Sequence, residues 1–150
     1  MLNMKIAIIN GPNLNLIGSR EPEIYGGESF EDFLAGLKKR YPVFKIEYFQ
    51  SNVEGDLINE IQRAGSGFDG IIINPGGYTH TSVAIGDAIA AIKTPVIEVH
   101  ISNIFAREEF RKLSHVSAKA MGVITGLGLK GYELALEWIR TYNITLNNKA

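Results

Sequence analysis

The chain has 150 residues, a formal net charge of −1 and no cysteine. This length suits a single domain over residues 1–150 whose core needs no cross-links. The near-neutral charge disfavours nucleic acid as a partner, and the lack of cysteine excludes disulfides and thiolate metal sites. No signal peptide is recognisable, and no apolar run approaches the ~20 residues that span a bilayer. We therefore expect a cytoplasmic protein without membrane contacts.

Short apolar runs alternate with helical patterns along the chain. The predicted strands cover residues 6–9, 45–49, 70–73, 96–101 and 122–124. The predicted helices begin near Ser29, at a Ser51–Glu54 capping box, at Thr79 or Thr81, at Asn103 and near Tyr132. The fourth of these is short and ends near Lys112.

This alternation predicts a parallel sheet that is covered by helices on both faces. Right-handed crossovers leave few topologies, and we expect a flavodoxin-like α/β three-layer sandwich with five strands in the order 2-1-3-4-5. In such a sheet, a ligand binds beyond the carboxyl ends of the strands, where the strand order reverses.

Polar side chains follow three of the predicted strands. The first strand runs into Asn10–Asn13, the third into Asn74–His80 and the fourth into Glu98–Asn103. Glu98 and His100 are two residues apart on a strand, so they face the same side. Each polar residue taken alone has a structural explanation, but their convergence on one edge of the sheet favours a functional site.

Helical spacing adds further candidates to this edge. Asp87 comes seven residues after His80 and is expected on the same helical face. Arg107 and Arg111 are four residues apart on one predicted helix, and His115 beyond them is expected to be solvated.

A long segment, residues 14–27, separates the first strand from the first helix. Loops of this length in compact domains are usually functional or mobile. We expect residues 18–27 to form a lid that carries Arg20 and Tyr25, with glycines as its hinges.

Common cofactor motifs are missing from the sequence. There is no phosphate-binding loop, no dinucleotide fingerprint after the first strand and no nucleophile elbow. Residues 126–131 lack the fingerprint spacing and are typical of a tight strand-to-helix turn. The three histidines have no zinc spacing.

A series of short motifs follows in order along nearly the whole chain. They are GPNLNL (11–16), REPEIYG (20–26), SNVEG (51–55), NPG (74–76), YTHTS (78–82), DA (87–88), EVHISN (98–103), REEFR (107–111), GLG (126–128) and GY (131–132). Together they resemble type II 3-dehydroquinate dehydratases. The resemblance implies the flavodoxin-like fold and dehydration of 3-dehydroquinate to 3-dehydroshikimate in the shikimate or quinate pathway. It also implies no metal or organic cofactor and a homododecamer of four trimers.

The resemblance further implies catalytic roles for individual residues. Tyr25 would be the base that removes a proton next to the ketone, and Arg20 would favour its phenolate form. His100 would donate a proton to the leaving hydroxyl, with Glu98 holding the imidazole. Asn13 would organise stabilisation of the enolate, through a bound water.

Substrate binding is likewise implied by the resemblance. Asp87 corresponds to a residue that reaches the site of a neighbouring subunit. The other substrate-binding positions correspond to Asn74, His80, Ile101, Ser102 and Arg111.

Two glycines, Gly77 and Gly86, depart from the family pattern, in which larger side chains are common at these positions. Gly86 should destabilise a helix by ~1 kcal/mol relative to alanine.

Two other functions stay open. One is a different cofactor-free lyase or isomerase that acts on a small hydroxy acid. The other is a non-catalytic flavodoxin-like module that binds a small molecule, which would not need Tyr25 and Arg20 together in a lid.

Overall fold

The computed structural model describes residues 3–19, 23 and 27–150. Its strands are β1 (Met4–Asn10), β2 (Phe44–Gln50), β3 (Gly70–Asn74), β4 (Val96–His100) and β5 (Gly122–Thr125). They form one parallel sheet in the order β2-β1-β3-β4-β5. The flavodoxin-like α/β fold predicted from the sequence is confirmed.

Helices cover both faces of the sheet, and they are α1 (Phe30–Arg40), α2 (Glu54–Ala64), α3 (Val83–Ala90) and α4 (Lys130–Asn147). Side chains of β1 alternate between the two faces: Ile6 and Ile8 belong to the core under α1 and α4, while Ala7 and Ile9 belong to the core under α2 and α3. Among the residues that the structure describes, no helix is long and apolar enough to cross a membrane.

The segment after β4 differs from the single short helix predicted there. It forms two 3-10 turns, Ile104–Ala106 and Glu109–Lys112, because Arg107 and Glu108 between them have extended backbones. Arg107 and Arg111 therefore do not share one helix.

Two predicted helix starts were also wrong. Gly76–His80 forms its own 3-10 turn, and α3 begins after it at Val83. Ser82 caps this helix, and its Oγ accepts the Ile85 N–H at 3.0 Å. His80 and Asp87 therefore belong to different elements and do not share a helical face. At α2, Ser51 Oγ accepts the Val53 N–H at 3.0 Å and does not cap the helix.

Helix α3 contacts the segment before β5 at Gly86. A Cβ atom at Gly86 would lie 2.3 Å from the backbone oxygen of His115. The expectation that Gly86 only weakens its helix is therefore incomplete, because the close packing at this point requires a residue without a side chain. Gly77, by contrast, has open space where a Cβ would be.

One hydroxyl joins the ends of two neighbouring strands. Tyr132 of α4 is completely buried, donates to Asn10 Oδ1 at 2.7 Å and accepts from Asn74 Nδ2 at 3.2 Å. Asn10 ends β1 and Asn74 ends β3, and the two are paired in register. Burial raises the pKa of Tyr132 far above its ordinary value, so this hydroxyl stays neutral and can both donate and accept.

We expect Gly86→Ala to destabilise the protein. The added methyl group must displace the His115 carbonyl, which costs about 1–3 kcal/mol and outweighs the gain of up to ~1 kcal/mol from alanine in a helix. Gly55 in α2 is the matched control, since nothing lies within 4 Å of its Cβ position and Gly55→Ala should be neutral or stabilising. Urea unfolding of both variants measures the difference; equal stability would contradict the close packing at Gly86.

We expect Tyr132→Phe to lower the free energy of unfolding by about 1–3 kcal/mol, because it leaves two buried amides short of a partner. Tyr142→Phe is the control, since Tyr142 is half-buried and stacks on Trp138 at a centroid distance of 4.9 Å. Urea unfolding monitored by circular dichroism makes the comparison. Similar losses in both variants would mean that the Tyr132 hydroxyl does not hold the strand ends.

Candidate active site

A cleft opens at the carboxyl ends of β1, β3 and β4, the region where the sequence predicted the site. Its volume is about 130 Å³, below the ~300–1,000 Å³ typical of sites for drug-sized ligands. The cleft thus suits a small molecule. The residues that line it are Pro12, Asn13, Leu14, Leu16, Ile17, Asn74, Gly76, Gly77, His80, His100, Ile101, Ser102, Ile104, Arg107 and Arg111.

Two arginines and two histidines face this cleft, and the described residues lining it include no aspartate or glutamate. Arg111 Nε also donates to Glu108, an exposed partner, at 2.5 Å. Guanidinium groups bind carboxylates with charge-assisted, often paired, hydrogen bonds. The lining therefore favours a small organic anion.

One polar group in the lining is a histidine bonded to a buried carboxylate. His100 Nε2 lies 2.7 Å from Glu98 Oε2, and Glu98 is completely buried. Ser114 Oγ donates to Glu98 Oε1 at 3.1 Å, and Ser117 Oγ lies 3.0 Å from both carboxylate oxygens. The buried carboxylate is thus satisfied by three donors. Because Nε2 is engaged, Nδ1 is the ring nitrogen of His100 that remains for a ligand.

The second histidine has a different partner. His80 Nδ1 lies 2.6 Å from the Leu113 carbonyl oxygen, which can only accept, so Nδ1 carries the proton. Burial lowers the pKa of His80, and the nearby His100 and Arg111 lower it further, against the opposing effect of the bond to Leu113. Neutral His80 therefore offers Nε2 as an acceptor.

Asn13 has a left-handed backbone with φ of 69°, and it is the only non-glycine residue with positive φ in the described part of the chain. Its N–H donates to Asn52 Oδ1 at 2.9 Å, and Gln50 Nε2 donates to the same oxygen at 3.2 Å. Non-glycine residues adopt this conformation rarely, and such outliers cluster at functional sites. These contacts fix Asn13 in the wall of the cleft.

The loops after β1 and β3 touch each other through their backbones. Gly11 N–H donates to the Asn74 carbonyl at 2.8 Å, and a Cβ at Gly11 would lie 2.3 Å from the Pro75 oxygen. Asn74 Oδ1 accepts the Gly76 N–H at 3.2 Å. The side chain of Asn74 is thereby held between its own loop and Tyr132.

Most of the predicted site residues come together in the structure. Glu98 lies directly behind His100. Asp87 is exposed on α3 and is not among the residues that line the cleft of its own chain. Arg20 and Tyr25 of the predicted lid lie outside the described residues. The predicted residues found in the cleft lining are Asn13, Asn74, His80, His100, Ile101, Ser102 and Arg111.

Some contributors to this region had no predicted role. Arg107, noted in the sequence for its spacing from Arg111, lines the cleft, and its Nη1 lies 3.4 Å from Ser102 Oγ. Ser114 and Ser117 had no such signal, because they meet Glu98 only through the tertiary fold. His115, expected to be solvated, is half-buried.

Comparisons with known proteins agree with one another. The sequence model of the family described as dehydroquinase class II matches residues 4–140. A 3-dehydroquinate dehydratase from Fusobacterium nucleatum subsp. nucleatum is 54% identical over 145 residues, which cover 93% of this chain and 98% of the relative. One from Halothermothrix orenii is 53% identical over 137 residues, covering 90% and 93%.

A solved structure extends this similarity to the fold. The type II dehydroquinase from Butyrivibrio crossotus superimposes with a TM-score of 0.88 at 47% identity, covering 92% of this chain and 98% of that one. With its family match, its relatives and its fold in agreement, the chain belongs to the class II dehydroquinase family.

Proposed function

We propose that this chain is a hydro-lyase that dehydrates 3-dehydroquinate to 3-dehydroshikimate. The family and the relatives named 3-dehydroquinate dehydratase support this reaction. The observation that carries it is the buried Glu98–His100 pair on the wall of a small, cation-lined cleft. That pair supplies an acid, and the surrounding side chains suit a carboxylate-bearing substrate.

The reaction sets three chemical requirements. A base removes the proton next to the ketone, donors stabilise the enolate oxygen that forms, and an acid protonates the β-hydroxyl as it leaves as water. The C–H and C–O bonds that break are replaced by a new carbon–carbon double bond, so no oxidant or reductant is needed.

His100 is the acid in this proposal. With Nε2 hydrogen-bonded to the Glu98 carboxylate, Nδ1 delivers its proton to the leaving hydroxyl. Glu98 fixes the ring and balances the charge of the imidazolium form. The three donors around the carboxylate support this role, since they offset the cost of burying an ionised Glu98.

Asn13 and the predicted lid would perform the first half of the reaction. The constrained backbone of Asn13 supports a role in organising the enolate, through a bound water. Tyr25 is the proposed base and Arg20 the cation that favours its phenolate; both assignments rest on the family resemblance.

Substrate binding would use both sides of the cleft. Arg111 and the backbone N–H groups of Ile101 and Ser102 suit the substrate carboxylate, while His80 and Asn74 suit its hydroxyl groups. Asp87 is exposed on α3, which is compatible with its reaching the site of a neighbouring subunit.

The wider assignments follow the family. We propose that the enzyme works without metal or organic cofactor, in the shikimate or quinate pathway, in the cytoplasm and as a dodecamer of four trimers. If Asp87 completes a neighbouring site, dissociation to monomers should reduce turnover; a fully active monomer would contradict that role.

Ultraviolet absorbance tests the reaction directly, because dehydration conjugates a new double bond with the ketone and the carboxylate. We expect absorbance to rise when the protein and 3-dehydroquinate are mixed in the presence of a chelator. His100→Asn should slow the rise by about 10²–10⁴-fold, the usual contribution of general acid catalysis. Tyr25→Phe should slow it sharply, and Tyr142→Phe is the matched control that should behave as the unaltered protein.

Each result has a distinct meaning. A rise that survives His100→Asn or Tyr25→Phe would remove the assigned role from that residue while keeping the enzyme. No rise from folded protein would favour a binding module without catalysis.

We expect His80 to titrate below the ordinary histidine pKa of about 6.5, because burial lowers its pKa. The unfolded chain then binds this proton more readily than the folded one. The contribution of neutral His80 to the free energy of unfolding is therefore fully present above about pH 6.5, and it is lost as the pH falls through the lower pKa of the folded state. NMR of the His80 ring against pH, assigned with His80→Asn, measures the midpoint. A midpoint at or above the unfolded value would contradict the buried, neutral state.

A further inference from the structure

We propose that residues Leu113–Ser117, here called the serine segment, form a positioning element that sets the orientation and proton placement of both active-site histidines. Ser117 is its central side chain, because its hydroxyl contacts both oxygens of the Glu98 carboxylate. The inference rests on the proposed function of His100 as an acid. Ser114 and Ser117 are positioning residues, since they act through Glu98 and do not line the cleft.

The serine segment contacts each histidine system separately. At one end, the Leu113 carbonyl accepts the proton of His80 Nδ1 at 2.6 Å. Further along, the hydroxyls of Ser114 and Ser117 bind Glu98, which binds His100 Nε2. One short stretch of backbone therefore controls which nitrogen of each ring is left for the ligand.

Several contacts hold the segment in place. Val116 is completely buried, and His115 N–H donates to the Thr79 carbonyl at 2.9 Å. Ser114 Oγ accepts the N–H groups of Val116 and Ser117 at 3.1 and 3.0 Å. Close packing of Gly86 against the His115 carbonyl fixes the segment to α3. The hydroxyls are thus held in position before any substrate arrives.

The two hydroxyls also decide where a shared proton resides. When the Glu98–His100 pair carries one added proton, it can exist as a carboxylate beside an imidazolium or as a neutral acid beside a neutral imidazole. Hydroxyl donors stabilise the carboxylate and so favour the first arrangement. An imidazolium is a much stronger acid than a neutral imidazole, so the serine segment makes His100 a competent donor.

Other charged or titratable groups line the same cleft as His100 of the Glu98–His100 pair. His80, Arg107 and Arg111 face it together with His100. All three are cationic or neutral, so none replaces the serines as a donor to the buried carboxylate of Glu98. Loss of a serine hydroxyl therefore directly affects the hydrogen bonding of the Glu98–His100 pair, because none of these three groups replaces the lost donor.

Ser117→Ala is the primary test of this positioning role. We expect kcat to fall about tenfold, the effect of one hydrogen bond to a charged group, while KM stays within about twofold because Ser117 does not touch substrate. Ser117→Thr keeps a hydroxyl and should restore most of kcat. Ser66→Ala is the control, since Ser66 is exposed and does not line the cleft.

A readout without turnover separates this inference from the proposed reaction. NMR of the imidazole nitrogens in substrate-free protein reports the tautomer and charge of His100, assigned with His100→Asn. Ser117→Ala should shift the His100 nitrogens and change the pH dependence of kcat, and Ser117→Thr should reverse both. If Ser117→Ala does not fold, Ser117→Cys keeps the volume but donates only weakly and makes the same test.

The outcomes are distinguishable. If the unmodified protein does not dehydrate 3-dehydroquinate, the proposed function fails, and the NMR comparison still decides whether the segment sets the His100 tautomer. If the unmodified protein is active, and Ser117→Ala leaves kcat, its pH profile and the His100 spectrum unchanged, the positioning role is overturned. A rise in KM at constant kcat would also overturn it, because that result would place Ser117 in substrate binding.

Discussion

Polar side chains buried at the carboxyl ends of β1, β3 and β4 must each have a hydrogen-bond partner, and this requirement organises the site. Asn10, Asn74 and Glu98 are buried away from bulk solvent, and groups from distant parts of the chain satisfy them. Tyr132 serves both amides, and hydroxyls of the serine segment serve the carboxylate. The partners that make burial tolerable are the same ones that hold the functional groups at fixed positions along the edge of the sheet.

Two side chains of the same kind acquire opposite properties from their partners. The carbonyl behind His80 fixes the proton on Nδ1 and leaves Nε2 for the cleft, while the carboxylate behind His100 engages Nε2 and leaves Nδ1. The rings are only 6.4 Å apart between centroids. A small ligand can therefore meet Nε2 of one ring and Nδ1 of the other, although residue type alone does not distinguish the two histidines.

Periodicity predicted the larger features correctly, because strand order and the shared side of Glu98 and His100 follow from local alternation and from the handedness of crossovers. The prediction of a single helix after β4 was wrong, because the backbone is extended at Arg107 and Glu108 although the sequence pattern there is typical of a helix. The roles of Ser114, Ser117 and Tyr132 were beyond local reasoning, since their contacts span 16 to 122 residues. Residue roles such as that of Asn13 came from family motifs and not from spacing.

The bond between Tyr132 and Asn10 joins residues 122 positions apart and connects the first strand to the last helix. During synthesis, the amides at the ends of β1 and β3 are made long before the hydroxyl that satisfies them. Such non-local contacts form late and slow the approach to the native state. The catalytic cleft should therefore mature only when α4 docks, so a nascent or truncated chain that lacks this helix would have a sheet without a finished site.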